Sequence, residues 1–232
     1  FYAQDIHGII RQIRTGQSSA ALSAYLGTKP SRPVTDLYGA GGNKAIWKNL
    51  RPKYWNKGRW LSEPQYGLSL MQQFAVNTFF LEDEQPVFSV NGPPGTGKTT
   101  LLRDIFAENL VRRAIRLAEL ATAKDAFSGT EKVNGSTVSR LKPELTGFEM
   151  IVASSNNAAV ENISRDLPKK SSLGATYCAD HNPVYVYLDE VARNLFARNK
   201  QKYDILPPDD DPWGLFSCAL GRKSNRDKVR QG

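Results

Sequence analysis

Residues Gly92 to Thr99 read Gly-Pro-Pro-Gly-Thr-Gly-Lys-Thr, with Thr100 behind them. Each residue type in that spacing has a task in holding a chain of phosphates. Gly92 and Gly97 open backbone angles closed to other residues, so that successive N–H groups turn inward around an anion. Pro93 and Pro94 carry no N–H, which leaves Gly95, Thr96, Gly97, Lys98, Thr99 and Thr100 as the donors. Lys98 is long enough to reach the β and γ phosphates, and the hydroxyl of Thr99 suits Mg²⁺. The segment is a complete P-loop (Walker A sequence), and its chemistry is the binding of a nucleoside triphosphate with Mg²⁺, Lys98 and Thr99 being the candidate catalytic residues.

A P-loop must be held between a strand and a helix N-terminus, where unpaired N–H groups and the helix dipole receive phosphate. Pro86 to Asn91 is a short β-prone run that predicts the strand, and Thr99 to about Lys124 predicts the helix, with an apolar stripe from Leu101 to Ala121 for packing on a sheet. Met150-Ile151-Val152-Ala153 reads as a buried parallel strand, followed by the polar turn Ser154-Ser155-Asn156-Asn157 and a helix from about Ala158 to Leu167. Two strand-turn-helix units predict an α/β fold: a RecA-like P-loop NTPase core with a parallel sheet, incomplete in this chain. Between them, Phe127 to Glu144, with Gly129, Gly135 and Pro143, reads as a loop-rich insertion. Upstream, residues 3–26 are helical with an interruption at Gly16, Lys29 to Gly42 is a linker, and Gly67 to Phe80 is a helix leading into the P-loop strand.

The 232 residues carry a net charge of +8, and the excess is not evenly spread. Residues 1–60 hold ten Lys and Arg against Asp5 and Asp36, whereas the other 172 residues hold 21 of each sign. The densest stretch, Lys44 to Trp60, interleaves Trp47, Tyr54, Trp55 and Trp60. Basic side chains can follow a phosphate backbone while rings stack on bases; a solvated basic surface with its tryptophans turned into a small core accounts for the composition equally well. The expected organisation is a basic N-terminal segment (1–60), a first nucleotide-binding domain (61–222) and a polar tail (223–232). Cys178 and Cys218 stand alone, as in ordinary thiols of an intracellular protein. Neither a leader pattern nor an apolar run of about 18 residues is present, so the expectation is a cytoplasmic or nucleoid-associated protein with no membrane partner. From the start on Phe1 the expectation is a piece of something longer.

Two further segments resemble a known family. Leu68-Ser69-Leu70-Met71-Gln72-Gln73-Phe74-Ala75-Val76 looks like the Q motif that precedes the P-loop in superfamily 1 helicases, and Ile151 to Ile163 looks like their motif Ia. The set is most similar to the Upf/senataxin-like branch, superfamily 1B, and covers roughly residues 58–167. The resemblance implies a motor that spends ATP to move on single-stranded DNA or RNA. Gln72 would select adenine, since its amide matches the donor and acceptor on that base's edge; Gln73 would point elsewhere. Ser154, Ser155, Asn156 and Asn157 would contact the nucleic-acid backbone, although Ser and Asn at a helix start also serve as simple caps.

A Walker B carboxylate is harder to place. Tyr185-Val186-Tyr187-Leu188-Asp189-Glu190 imitates an apolar strand ending in acids, where Asp189 would hold Mg²⁺. It follows Ile163 by only 26 residues, and the run continues in helical register through Phe196, so an amphipathic helix is the favoured reading. No Gly-Asp-x-x-Gln segment, arginine finger or second RecA-like domain is recognisable. The chain would supply one wall of a cleft whose other wall is the rest of its own motor, and alone would turn over weakly or not at all. The alternatives are a P-loop ATPase that remodels a protein partner, or a module that binds ATP or nucleic acid without turnover.

Overall fold

The computed structural model of the chain describes residues 2–27, 34–81, 87–154, 163–164, 166–177, 213–214, 223 and 226–227. They fall into two compact units: Phe1–Lys57 with Leu68–Ile105, and Gly58–Gly67 with Phe106–Gly232.

In the first unit, α1 (Ala3–Arg14) places Asp5 in its first turn and Arg11 and Arg14 in its last, the arrangement that complements the helix dipole. Its isoleucines, Ile6, Ile9, Ile10 and Ile13, line one side, yet no residue of the helix is buried. The short α2 (Ala20–Leu26) starts at a serine cap, Ser19 Oγ accepting from the Leu22 N–H at 3.1 Å. Gly16 thus separates two helices, as its place in the sequence predicts.

Helix α3 (Gly42–Asn49) turns Gly42, Ala45, Ile46 and Asn49 inward, at i, i+3, i+4 and i+7, and leaves Asn43, Lys44, Trp47 and Lys48 outside. It packs on α4 (Leu70–Leu81), whose buried residues are Gln73, Val76 and Asn77. Phe79 of α4 meets Phe80 and Phe88 edge to face, with centroids 5.0 and 5.4 Å apart. The P-loop follows, and α5 (Lys98–Ala118) begins directly on it.

The second unit is closed by a tryptophan pair and one carboxylate. Trp60 and Trp213 meet edge to face at 5.8 Å, and each ring N–H finds a carbonyl: Ser172 at 3.0 Å for Trp60, Leu167 at 2.8 Å for Trp213. Leu145, Leu167 and Leu173 are buried in this unit. Buried Glu108 accepts from the Gly58 N–H at 2.7 Å through one oxygen and from Arg112 Nε at 2.9 Å through the other, so its charge is paired and hydrogen-bonded.

Residues 127–144 are not the loop that the sequence leads one to expect. They form an antiparallel hairpin, β1 (Phe127–Val133) and β2 (Ser136–Leu141), registered by pairs such as Val133 with Ser136 and Glu131 with Val138. The reason is local: Asn134 and Gly135 take φ of +50° and +84°, the two successive positive angles of a tight type I′ hairpin turn. Glycines that mark a loop in the sequence are here the turn and a bulge, since the register shifts between Phe127 and Gly129. Both strands are exposed on both faces, which removes the alternation that would announce them. This hairpin is the only sheet of paired strands among the described residues. Residues 87–91 and 150–153, where parallel strands are expected, carry no regular secondary structure. Of the helix expected from about 158 to 167, only residues 163, 164, 166 and 167 are described, and the first three are helical.

Candidate functional site

The P-loop is built as two nested turns. Pro93 O accepts from the Thr96 N–H at 3.4 Å and from Thr96 Oγ1 at 2.8 Å, closing a four-residue turn in which Gly95 takes φ +82°. Proline second and a positive-φ glycine third is the type II pattern. Gly97 follows at φ +74°, and its carbonyl accepts the Leu101 N–H at 3.0 Å, the first bond of α5. The N–H groups of Lys98, Thr99 and Thr100 therefore sit at the start of a 21-residue helix, where no carbonyl of a preceding turn can reach them. Lys98 and Thr99 are exposed, and Thr100 is half-buried.

Lys98 folds back over the loop. Its Nζ donates to Gly92 O at 2.6 Å and Pro93 O at 2.7 Å, so the ammonium rests on the loop's own carbonyls at the mouth of the turn. A phosphate oxygen is a charged acceptor and forms stronger hydrogen bonds than a carbonyl, so this is a position the lysine can leave for a ligand.

Gln72 of α4 reaches the same loop. Its Nε2 donates to Thr96 O at 3.0 Å and to Gly97 O at 3.4 Å, while its Oε1 accepts the Ser69 N–H at 2.7 Å. The approach is close enough that a Cβ on Gly97 would overlap Gln72 Nε2, so any side chain there would displace the glutamine as well as strain φ. Oε1 keeps one lone pair beyond the Ser69 contact. An adenine edge at Gln72 would use that lone pair and compete for Nε2 with the longer contact to Gly97.

Gln73 turns the other way, as expected of the next residue on a helix. It is buried, and its Nε2 donates to Asn56 Oδ1 at 2.9 Å and Asn77 Oδ1 at 2.6 Å. Asn77 Nδ2 donates to Asn49 O at 2.7 Å, and Asn49 Nδ2 to Thr78 Oγ1 at 2.9 Å. A chain of amides thus ties residues 49–56 to α4. Sequence reasoning misses it; the available signal is the spacing of Gln73 and Asn77, four apart on a helix whose other inward residue is Val76.

The four tryptophan and tyrosine rings of residues 44–60 divide between the two readings that composition leaves open. Trp60 is a core residue at 8% exposure, whereas Trp47 is 75% and Trp55 52% exposed. Tyr54 is half-buried, with Lys53 Nζ 4.7 Å above its ring. Of the turn expected to touch nucleic acid, Ser154 is described and exposed, and Ser155, Asn156 and Asn157 lie outside the described residues, as does Asp189. Among the described residues no cluster of three His, Cys, Asp or Glu side chains is placed to hold a metal, and no helix is long and apolar enough to cross a membrane.

Compared with protein-family models, with curated proteins and with solved structures, the chain matches none.

Proposed function

We propose that the chain is the ATP-binding part of a nucleic-acid helicase or translocase of the superfamily 1B type, built on a RecA-like α/β core and coupling ATP hydrolysis to movement on single-stranded DNA or RNA. The reading is supported above all by one observation: Gln72, at the Q-motif position, is hydrogen-bonded to the backbone of a P-loop that stands on the N-terminus of α5. Two motifs separated by about twenty residues in sequence are in contact at the place where a base and its phosphates would have to be held together.

The residues present fit a triphosphate with Mg²⁺. The positive-φ glycines and the α5 N-terminus supply N–H donors, Lys98 supplies a mobile positive charge, and Thr99 supplies an exposed hydroxyl one residue further on. Bound Mg²⁺ would neutralise charge on the β and γ phosphates. On ligand entry Lys98 would exchange the carbonyls of Gly92 and Pro93 for phosphate oxygen, and Gln72 would orient the base. Ser154 to Asn157 would meet the nucleic-acid strand. The second RecA-like domain of the same motor would complete the hydrolytic site, in a cytoplasmic or nucleoid-associated assembly.

The first test is equilibrium binding of ATP to the wild type and to Lys98→Ala. Loss of binding is expected, and retained binding would sink the site assignment. The second is the ATPase rate of the full-length parent at one stated salt concentration, with and without single-stranded DNA or RNA. Stimulation is expected; a rate indifferent to both polymers would favour an ATPase that remodels a protein partner.

A further inference from the structure

From residue 37 to residue 62 the chain has six Lys and Arg and no acid. Part of this excess lies on one face of α3 and part on exposed positions that follow it. Lys44, Trp47 and Lys48, at i, i+3 and i+4, share the outer face of α3, and Arg51 and Lys57 are exposed after it. Among the described residues, none of Lys44, Lys48, Arg51 and Lys57 has an acidic partner. Four cations on so short a segment repel one another, and a polyanion relieves that repulsion while releasing its own counterions.

The exposed rings of the same segment indicate which polyanion. Trp47 is 75% exposed, far more than packing against its own chain would leave. Trp55 is 52% exposed but not loose, because its ring N–H donates to Leu50 O at 3.0 Å. A fixed, half-exposed indole loses little freedom when a flat partner stacks on it. Bases of a single strand offer such faces, whereas those of a duplex are already stacked. The aliphatic side of α3, Ala45 and Ile46, is turned inward, so the helix lacks the apolar face with which a membrane-surface helix embeds itself.

The platform is also anchored. Asn49 and Asn56, one on α3 and one just past Trp55, are hydrogen-bonded into the buried amide chain around Gln73 and Asn77. Both ends of the 49–56 stretch are thus tied to α4.

We propose that the outer face of α3 with Arg51, Trp55 and Lys57 is a binding site for single-stranded nucleic acid, separate from the Ser154 to Asn157 turn. Phosphates would lie on Lys44, Lys48 and Arg51, and bases on Trp47 and Trp55. The site shares its class of polymer with the proposed function but uses none of the triphosphate-binding residues, so either can fail without the other.

The test is fluorescence anisotropy of a labelled oligothymidylate of about 20 nucleotides, titrated with the whole chain over a range of salt concentrations. Reversing Lys44, Lys48 and Arg51 to Glu should weaken binding at least about tenfold at low salt and reduce the salt slope by about 2, three phosphate contacts at about 0.7 each. Trp47→Ala should weaken it about fivefold or more with the slope unchanged. Replacing the exposed hairpin cations Lys132 and Arg140 by alanine should leave both affinity and salt slope in place. Circular dichroism of each variant excludes unfolding as the cause, and the milder Lys44→Gln/Lys48→Gln pair should lie between wild type and the reversal. The proposal is overturned if the charge reversal changes neither affinity nor slope, if a duplex of equal length binds as tightly, or if anionic-lipid vesicles bind and the oligonucleotide does not.

Discussion

Around Gln72 the chain keeps its polar groups within reach of solvent; around Gln73, one residue on, it seals them away. Thr96 O, Lys98 Nζ, Gly92 O and Pro93 O make their hydrogen bonds across exposed residues, so a ligand can exchange with any of them without opening a core. Asn56 and Asn77 carry the same amide chemistry as Gln72, but both are buried, and a bond broken there has no solvent at hand to replace it. The difference teaches that neighbouring glutamines on one helix can have opposite duties: one holds a loop ready for exchange, and the other fixes what that helix is attached to.

The largest expected effect comes from breaking the sealed side. Gln73→Leu keeps the volume but removes the donor shared by Asn56 Oδ1 and Asn77 Oδ1, and a buried acceptor that loses a hydrogen bond costs about 1–3 kcal/mol. Urea denaturation should show a loss of about 3 kcal/mol, and Asn77→Ala should be of similar size because it adds a cavity. If both variants stayed within about 0.5 kcal/mol of wild type, as surface changes do, the sealed side would be no different from the open one.

Next in size is Gly97→Ala. The new Cβ meets φ +74° and overlaps Gln72 Nε2. The backbone strain alone costs about 1–2 kcal/mol, while Gln72 Nε2 is the far end of a flexible side chain and can step aside. Triphosphate affinity should fall at least about tenfold, one factor of ten per ~1.4 kcal/mol. A double-mutant cycle with Gln72→Ala should recover only the part due to the clash. Full recovery would mean that the positive φ is immaterial to the loop.

Gln72→Ala by itself sharpens the contrast from the open side. Losing three hydrogen bonds at a solvent-accessible position, where water can replace them, should change stability by less than about 1 kcal/mol, well below the Gln73 variant. What should change is choice: competition between ATP and GTP ought to move toward parity, because the group proposed to read the base edge is gone. Preserved selectivity for ATP would take Gln72 out of base recognition and leave it as a brace for the loop.

How much of this is legible in sequence follows from where each signal is local. The P-loop is readable because its turn angles, donors and helix start are properties of consecutive residues, and α1, α2, α4 and α5 are readable from apolar spacing at 3.6. The hairpin at 127–141 looks like a loop because its strands bury nothing and so show no alternation; the Asn134-Gly135 pair is its one strong mark, and alone it does not distinguish a hairpin turn from a loop. Helix α3 gives no helical signal, since its inward residues Gly42, Ala45, Ile46 and Asn49 are small or mixed rather than apolar. The partition of Trp47, Trp55 and Trp60 is not readable either, because burial is decided by partners such as Ser172 and Trp213 that are remote in the chain.

The smallest effect tests a third arrangement, a polar group fully in solvent and yet held by its own chain. Glu149 has its carboxyl pKa below the ordinary glutamate value, chiefly through its own backbone N–H and then that of Gly147, whose N–H lies 2.9 Å from Oε2, with Arg113 adding in the same sense. A carboxyl whose folded pKa is depressed stabilises the fold above the unfolded glutamate range and loses that contribution as pH falls through the folded value. NMR titration of the Glu149 carboxyl carbon should give a midpoint below that of an unfolded peptide of the same sequence. Because the group is wholly exposed, Glu149→Gln should leave denaturation at neutral pH almost unchanged while abolishing this one titration. A midpoint at the unfolded value would show that exposed backbone donors hold this carboxylate no better than water does.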